Sequence, residues 1–146
     1  MEKIIIHKEQ VKILTDSCEK AYPYEACGAV LGHDDMILNV RLLGNSEEKS
    51  SSRVYFSISP MDIYKIEKEA EREGTELIGF FHSHPECEAV PSAEDVKHMI
   101  PGMISIIVGI SKTGRYPERP LFSEEIRGYV RESIQSGIKE LIIMGD

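Results

Sequence analysis

The stretch Leu77-Ile78-Gly79-Phe80-Phe81-His82-Ser83-His84-Pro85-Glu86-Cys87-Glu88-Ala89-Val90-Pro91-Ser92-Ala93-Glu94-Asp95 decides how this chain is read. Its first residues are apolar without alternation, so a strand over Glu76 to Phe81 is expected to lie centrally in a sheet, buried on both faces. Two histidines follow at i and i+2. On a strand such positions share one side, so His82 and His84 can grip one ion while Ser83 points away. Asp95 comes after a loop, in the first turn of a short helix expected over Ser92 to about Ile100 and stopped by Pro101-Gly102. Two imidazoles and one carboxylate suffice for a zinc ion with an open position. Imidazole favours zinc over magnesium or calcium.

A zinc with three protein ligands keeps a place for water and lowers its pKa to ~7. Such a water needs a general base. Glu25 is the best-placed carboxylate, in Pro23-Tyr24-Glu25-Ala26-Cys27-Gly28, just before the strand Gly28 to Gly32.

Outward from these segments the pattern is one of short alternating elements. Ile4-Ile5-Ile6 reads as a strand, and Val11, Leu14, Cys18 and Ala21 recur at helical spacing. His33-Asp34-Asp35 reads as a turn and Met36 to Leu43 as the return strand of a hairpin. Asn45 to Ser52 is polar and serine-rich, a loop, and Arg53 to Ile58 alternates like a strand. Ser59-Pro60-Met61-Asp62 starts a helix with a serine N-cap, a proline in the first turn and a carboxylate near its N-terminus. Gly74 stops it. Met103 to Ile110 is a second strongly apolar strand, and Lys112 to Pro120 reads as a loop. Ile126, Val130, Ile134 and Ile138 recur every four residues, which predicts a final helix over Ser123 to Gly137. Leu141 to Met144 would be a last strand. The expected architecture is α/β: one domain over residues 1–146, with a central mixed β-sheet flanked by helices.

The chain has 146 residues, enough for one domain with a real core. Its net charge of −8 argues against nonspecific nucleic-acid binding and against an anionic membrane surface. Cys18, Cys27 and Cys87 are odd in number, and Met1 to Ile6 is too short for a signal peptide, so reduced thiols and a cytoplasmic protein are expected.

The motif Glu25 in P-x-E-x-C-G-x-x-x-G, followed by His82-Ser83-His84-Pro85 and then Ser92-x-x-Asp95, resembles the JAMM (MPN-plus) metallopeptidases, here of the small prokaryotic type. The likeness runs from about Ile4 to Ile110 and includes Arg53-x-x-Phe56-x-Ile58-x-Pro60. It implies an MPN-like fold. It implies His82, His84 and Asp95 as zinc ligands, Glu25 as the proton carrier and Ser92 as an oxyanion donor. It further implies hydrolysis of the (iso)peptide bond after the C-terminal Gly-Gly tail of a ubiquitin-like or sulfur-carrier protein, with a homodimer as a further option.

Other readings stand beside this one. Ser92 and Asp95 have the spacing of a helix capping box. Cys87 could close the zinc site as a fourth ligand and make it structural. His98, one turn after Asp95, could approach the metal. A similar H-x-H-P…P-S-x-x-D run also occurs in DNA-repair-associated modules.

Overall fold

The computed structural model describes residues 1–45, 59–116 and 119–145. Strand β1 (Lys3–Ile6) leads into helix α1 (Lys8–Ala21), and β2 (Ala26–His33) and β3 (Met36–Asn45) form a hairpin around Asp34-Asp35. Helix α2 (Pro60–Arg72), β4 (Glu76–Pro85) and α3 (Ala93–His98) follow, then β5 (Ile104–Tyr116), β6 (Arg119–Arg131) and β7 (Ile138–Gly145). The strand order is β1-β3-β2-β4-β5-β6-β7, and β7 pairs with β1, so the mixed sheet closes on itself. The β1–β3, β1–β7 and β4–β5 pairs are parallel and the others antiparallel.

The expected apolar strands are buried on both faces because the sheet has a different packing partner on each. Val30 of β2 and Ile104, Ile106, Val108 and Ile110 of β5 pack into a main core with Leu14, Cys18 and Ala21 of α1 and with residues of the remaining strands. The alternate positions face outward into two smaller clusters. Ala29 and Leu31 meet Ile66 and Ala70 of α2, and Ile107 meets Ala89, Met99 and Tyr129. Continuous apolar runs are what a sheet covered on both faces requires.

The start of α2 is as expected. The Ser59 hydroxyl accepts from the Asp62 amide while the Asp62 carboxylate accepts from the Ser59 amide. Gly74 adopts φ of 75° just after the helix, in the region that glycine tolerates best. The loop expected over Asn45 to Ser52 and the strand over Arg53 to Ile58 fall, beyond Asn45, outside the described residues. No helix among the described residues is long and apolar enough to cross a membrane.

Two expectations are corrected. Ser123 to Gly137 is not a helix: residues to Arg131 belong to β6, followed by a turn. Spacing by four is also twice the strand period, so Phe122, Ile126 and Val130 lie on one face of a strand and pack into the main core. Ile134, the next member of the series, is exposed in the turn. Lys112 to Pro120 is likewise mainly strand. β5 and β6 extend past the core as two hairpin arms, paired as far as Tyr116 and Arg119. Their exposed polar residues carry no burial signal.

One consequence of the β6 strand is that Glu124 falls on the inward face between Phe122 and Ile126. Burial, a hydrogen bond shared with Glu19, and the charges of Glu19 and Asp16 push its carboxyl up to about 7. The folded state therefore holds this proton more tightly than the unfolded chain, and the associated stability is lost as pH rises from about 4.5 to about 7. One carboxylate oxygen is buried, but the residue as a whole is only partly so, and screening reduces the effect to the order of 1 kcal/mol. Glu124→Gln should accordingly melt about 2–4 °C above the wild type at pH 8 and show little difference at pH 4.5. Thermal melts of both proteins across that range check it.

Candidate metal centre

The centre is built where β4 runs out of its antiparallel partner. β4 carries His82 and His84 on one side, with Cys27 of β2 opposite His82 and Gly109 of β5 opposite His84. Asp95 arrives from the first turn of α3. Ser92 caps that helix: its hydroxyl accepts from the Asp95 amide at 3.0 Å, and its own amide donates to Asp95 Oδ2 at 2.9 Å. The capping-box and site readings of these residues are therefore compatible, because the cap aims the carboxylate. At the other end of α3, Arg131 donates to the Val96 carbonyl at 3.0 Å and holds the helix against β6.

These elements bring three side chains to one point. Nε2 of His82 and Nε2 of His84 are 3.1 Å apart, and Asp95 Oδ2 lies 3.0 Å from His84 Nε2 and 3.3 Å from His82 Nε2. A tetrahedral zinc with bonds of about 2.0–2.1 Å needs ligand atoms about 3.3–3.4 Å apart, so the observed triangle needs to open by only a few tenths of an ångström. His82 and Asp95 are buried to within 2% of full occlusion. Groups this polar persist in the interior only when paired or bound to a cation.

The tautomer also fits. His84 Nδ1 lies 3.1 Å from the Glu88 carbonyl, which only accepts, so Nδ1 carries the proton and Nε2 of the neutral ring presents a lone pair. With no cation, that lone pair would face the Asp95 carboxylate, and protonation is the alternative. Burial opposes the charge on His84. The hydrogen bonds to Asp95 and to the Glu88 carbonyl, with the charges of Asp95 and Glu25, outweigh it and raise its pKa. Burial likewise opposes ionisation of Asp95, but hydrogen bonds from His82 and His84 hold it well below the usual carboxylate range.

Beside the triad opens a cleft of about 450 Å³ lined by Glu25, His84, Pro85, Cys87, Glu88, Val90 and Ser92. The structure thus brings all five expected residues to one place, three at the triad and Glu25 and Ser92 in the adjoining wall. Ser92 uses its oxygen to accept from Asp95, so its hydroxyl proton remains available to the cleft. Cys87 is exposed in the same wall, but it is not among the side chains whose ligand atoms cluster within 4.8 Å. His98 pairs with Glu94 at 3.2 Å and stays outside that cluster too. Cys18 and Cys27 are buried thiols pushed up by burial to about 12 and about 11, which leaves them protonated.

The support behind His84 is not visible in the motif. Glu86 to Val90 folds back over Gly109, where a Cβ would lie 2.7 Å from the Cys87 carbonyl oxygen and 2.9 Å from the Ala89 amide. Ala89 is pinned at both ends of its peptide groups: its amide donates to Glu125 and its carbonyl accepts from Tyr129 at 2.7 Å. Glu86 adopts a φ of 57° and its carboxylate accepts from the Tyr22 hydroxyl and the Lys112 amide. This clamp fixes the Glu88 carbonyl. Nothing in the local sequence marks a backbone oxygen as a partner of His84, and Glu125 and Tyr129 fall in the segment expected to be helical.

Comparison with known proteins places the chain in a family. The model of a family described as prokaryotic homologs of the JAB domain matches residues 7–121. A desampylase of Pyrococcus furiosus is 37% identical over 75 residues, 51% of this chain and 51% of that protein. A desampylase of Haloferax volcanii is 31% identical over 106 residues, 72% of this chain and 75% of that protein. The chain therefore spans about half the length of the first relative and three quarters of the second. A protein of Desulfitobacterium hafniense solved in solution aligns with a TM-score of 0.75 at 24% identity, covering 98% of this chain and 92% of that one. A JAB1/MPN domain protein of Archaeoglobus fulgidus aligns with a TM-score of 0.56 at 20% identity, covering 99% and 100%. At such identities these two structures speak for the fold alone.

Proposed function

The chain belongs to the family of prokaryotic homologs of the JAB domain, and on that premise we propose that it is a zinc metallopeptidase. Its substrate would be the (iso)peptide bond after the C-terminal Gly-Gly tail of a ubiquitin-like or sulfur-carrier protein. The observation that carries the chemistry is the triad of His82, His84 and Asp95, with ligand atoms 3.0–3.3 Å apart at the edge of an open cleft. The names of the two desampylases support the substrate class. A single domain over residues 1–146 is part of the same reading.

Zinc in this triad would supply Lewis acidity and a water acidic enough to ionise near neutral pH. Glu25 accepts the proton of the attacking water and delivers it to the leaving amine. Ser92 donates a hydrogen bond from its hydroxyl to the developing oxyanion from the same wall. His84 is held in the ligating tautomer by the Glu88 carbonyl, and Asp95 is aimed by the Ser92 amide. The cleft of about 450 Å³ beside the triad is where an extended peptide tail would lie. A closed structural site with Cys87 as fourth ligand is disfavoured by the position of that thiol outside the triad.

The test is cleavage of a ubiquitin-like protein joined through its C-terminal glycine to a lysine of a second protein. The zinc-loaded chain should release the free carrier, lose the activity to a chelator and regain it with zinc. Cleavage of small amides but not of the conjugate would point to an unrelated amidase. Stoichiometric zinc with neither activity would favour a binding module.

A further inference from the structure

The residue between the two histidines does more than separate them. Ser83 is fully buried, and its hydroxyl points to the opposite side of β4 from the triad. There it accepts a hydrogen bond from the Ala26 amide at 2.8 Å. Ala26 is the residue immediately after Glu25.

The placement of that bond matters because of where the β2–β4 ladder stops. The register pairs Cys27 with His82, and no backbone pair joins β4 to β2 beyond it on the Glu25 side. A side-chain hydroxyl takes over at the next position. The peptide unit between Glu25 and Ala26 is planar, so holding the Ala26 amide holds the Glu25 carbonyl and limits rotation about the Glu25 Cα. Asn45 of β3 pairs with Ala26 from the other side, at the end of that strand. Ser83 thus ties the residue next to Glu25 to the strand that bears His82 and His84.

We propose that Ser83 is a positioning residue, which sets Glu25 relative to His82 and His84 through the Ala26 amide. The proposal rests on the reading of Glu25 as the proton carrier. Neither Ser83 nor Ala26 lines the cleft or belongs to the His82-His84-Asp95 cluster. Removal of the hydroxyl should leave the ligands in place and the base misplaced.

The experiment uses the zinc-loaded chain and the isopeptide conjugate described above. Ser83→Ala should retain one zinc per chain and a KM near the wild-type value, while kcat falls about 10–100-fold, the range typical of lost outer support. Ser83→Thr, which restores a hydroxyl, should recover most of that loss. Combined with Glu25→Gln, Ser83→Ala should produce no further fall, since the group it positions is already disabled. Loss of zinc in Ser83→Ala would overturn the proposal, because the role would then be support of the ligands. So would unchanged kcat, equal impairment of the threonine variant, or a further fall in the Glu25→Gln background. If Ser83→Ala does not fold, Ser83→Cys, close in volume but a weak acceptor, takes its place with the same outcomes. Wild-type turnover by Glu25→Gln alone would instead overturn the reading of Glu25. An inactive Glu25→Gln beside a fully active Ser83→Ala would overturn only the role of Ser83.

Discussion

Asp95→Asn is expected to leave the protein folded and remove its zinc. The asparagine oxygen can still accept from the Ser92 amide, so the cap of α3 survives, but the anionic ligand 3.0 Å from His84 Nε2 is gone. Outer partners of metal ligands are worth about 10–100-fold in affinity, and a ligand itself must exceed that. Metal analysis after dialysis should therefore find one zinc per wild-type chain and a small fraction of one in the variant. His82→Ala should behave alike, since its nitrogen is 3.1 Å from that of His84 and its side chain is buried. Cys87→Ser should keep the metal. Full zinc retention by both triad variants would remove the triad as the site, and loss from Cys87→Ser would make the site a closed one.

The second large effect is expected at Glu25. Glutamine has the same shape and hydrogen-bonding reach but cannot accept the proton of the attacking water. Glu25→Gln should keep its zinc and its fold, because Glu25 is not one of the clustered ligands, and should lose about 10²–10⁴-fold in kcat, the usual range for a general base. Single-turnover cleavage of the conjugate, paired with metal analysis, separates this from ligand loss. A variant that loses metal and turnover together would place Glu25 in the coordination sphere instead.

These two outcomes differ because the site has a local and a non-local half, and the two differ in how far the sequence discloses them. His82 and His84 are related by strand period, and Ser92 and Asp95 by the first turn of a helix. Both relations hold within a few residues, so both are readable as spacing. The strand over 123–131 was not readable in that way. Ile126 and Val130 satisfy the helical and the strand period equally, and only pairing with β5 distinguishes them. Lys112, Thr113 and Arg115 in the arm of β5 are exposed and polar, so its pairing also left no trace in hydropathy.

By itself the sequence determined the buried strand, the grouping of His82, His84 and Asp95 as candidate ligands, the capped helix that aims Asp95, and the family to which the motif points. Tertiary structure alone decided that the sheet closes through β7 and β1. It also decided that Glu88 offers its carbonyl to His84, that Cys87 stands apart from the triad, and that Glu25 shares a cleft with His84. The reason is one of range. Side-chain direction along a strand or helix follows from backbone geometry over a few residues. The meeting of β2 with β4 depends instead on register and on contacts such as that of Ser83 with Ala26, between residues 57 apart, which no local pattern encodes.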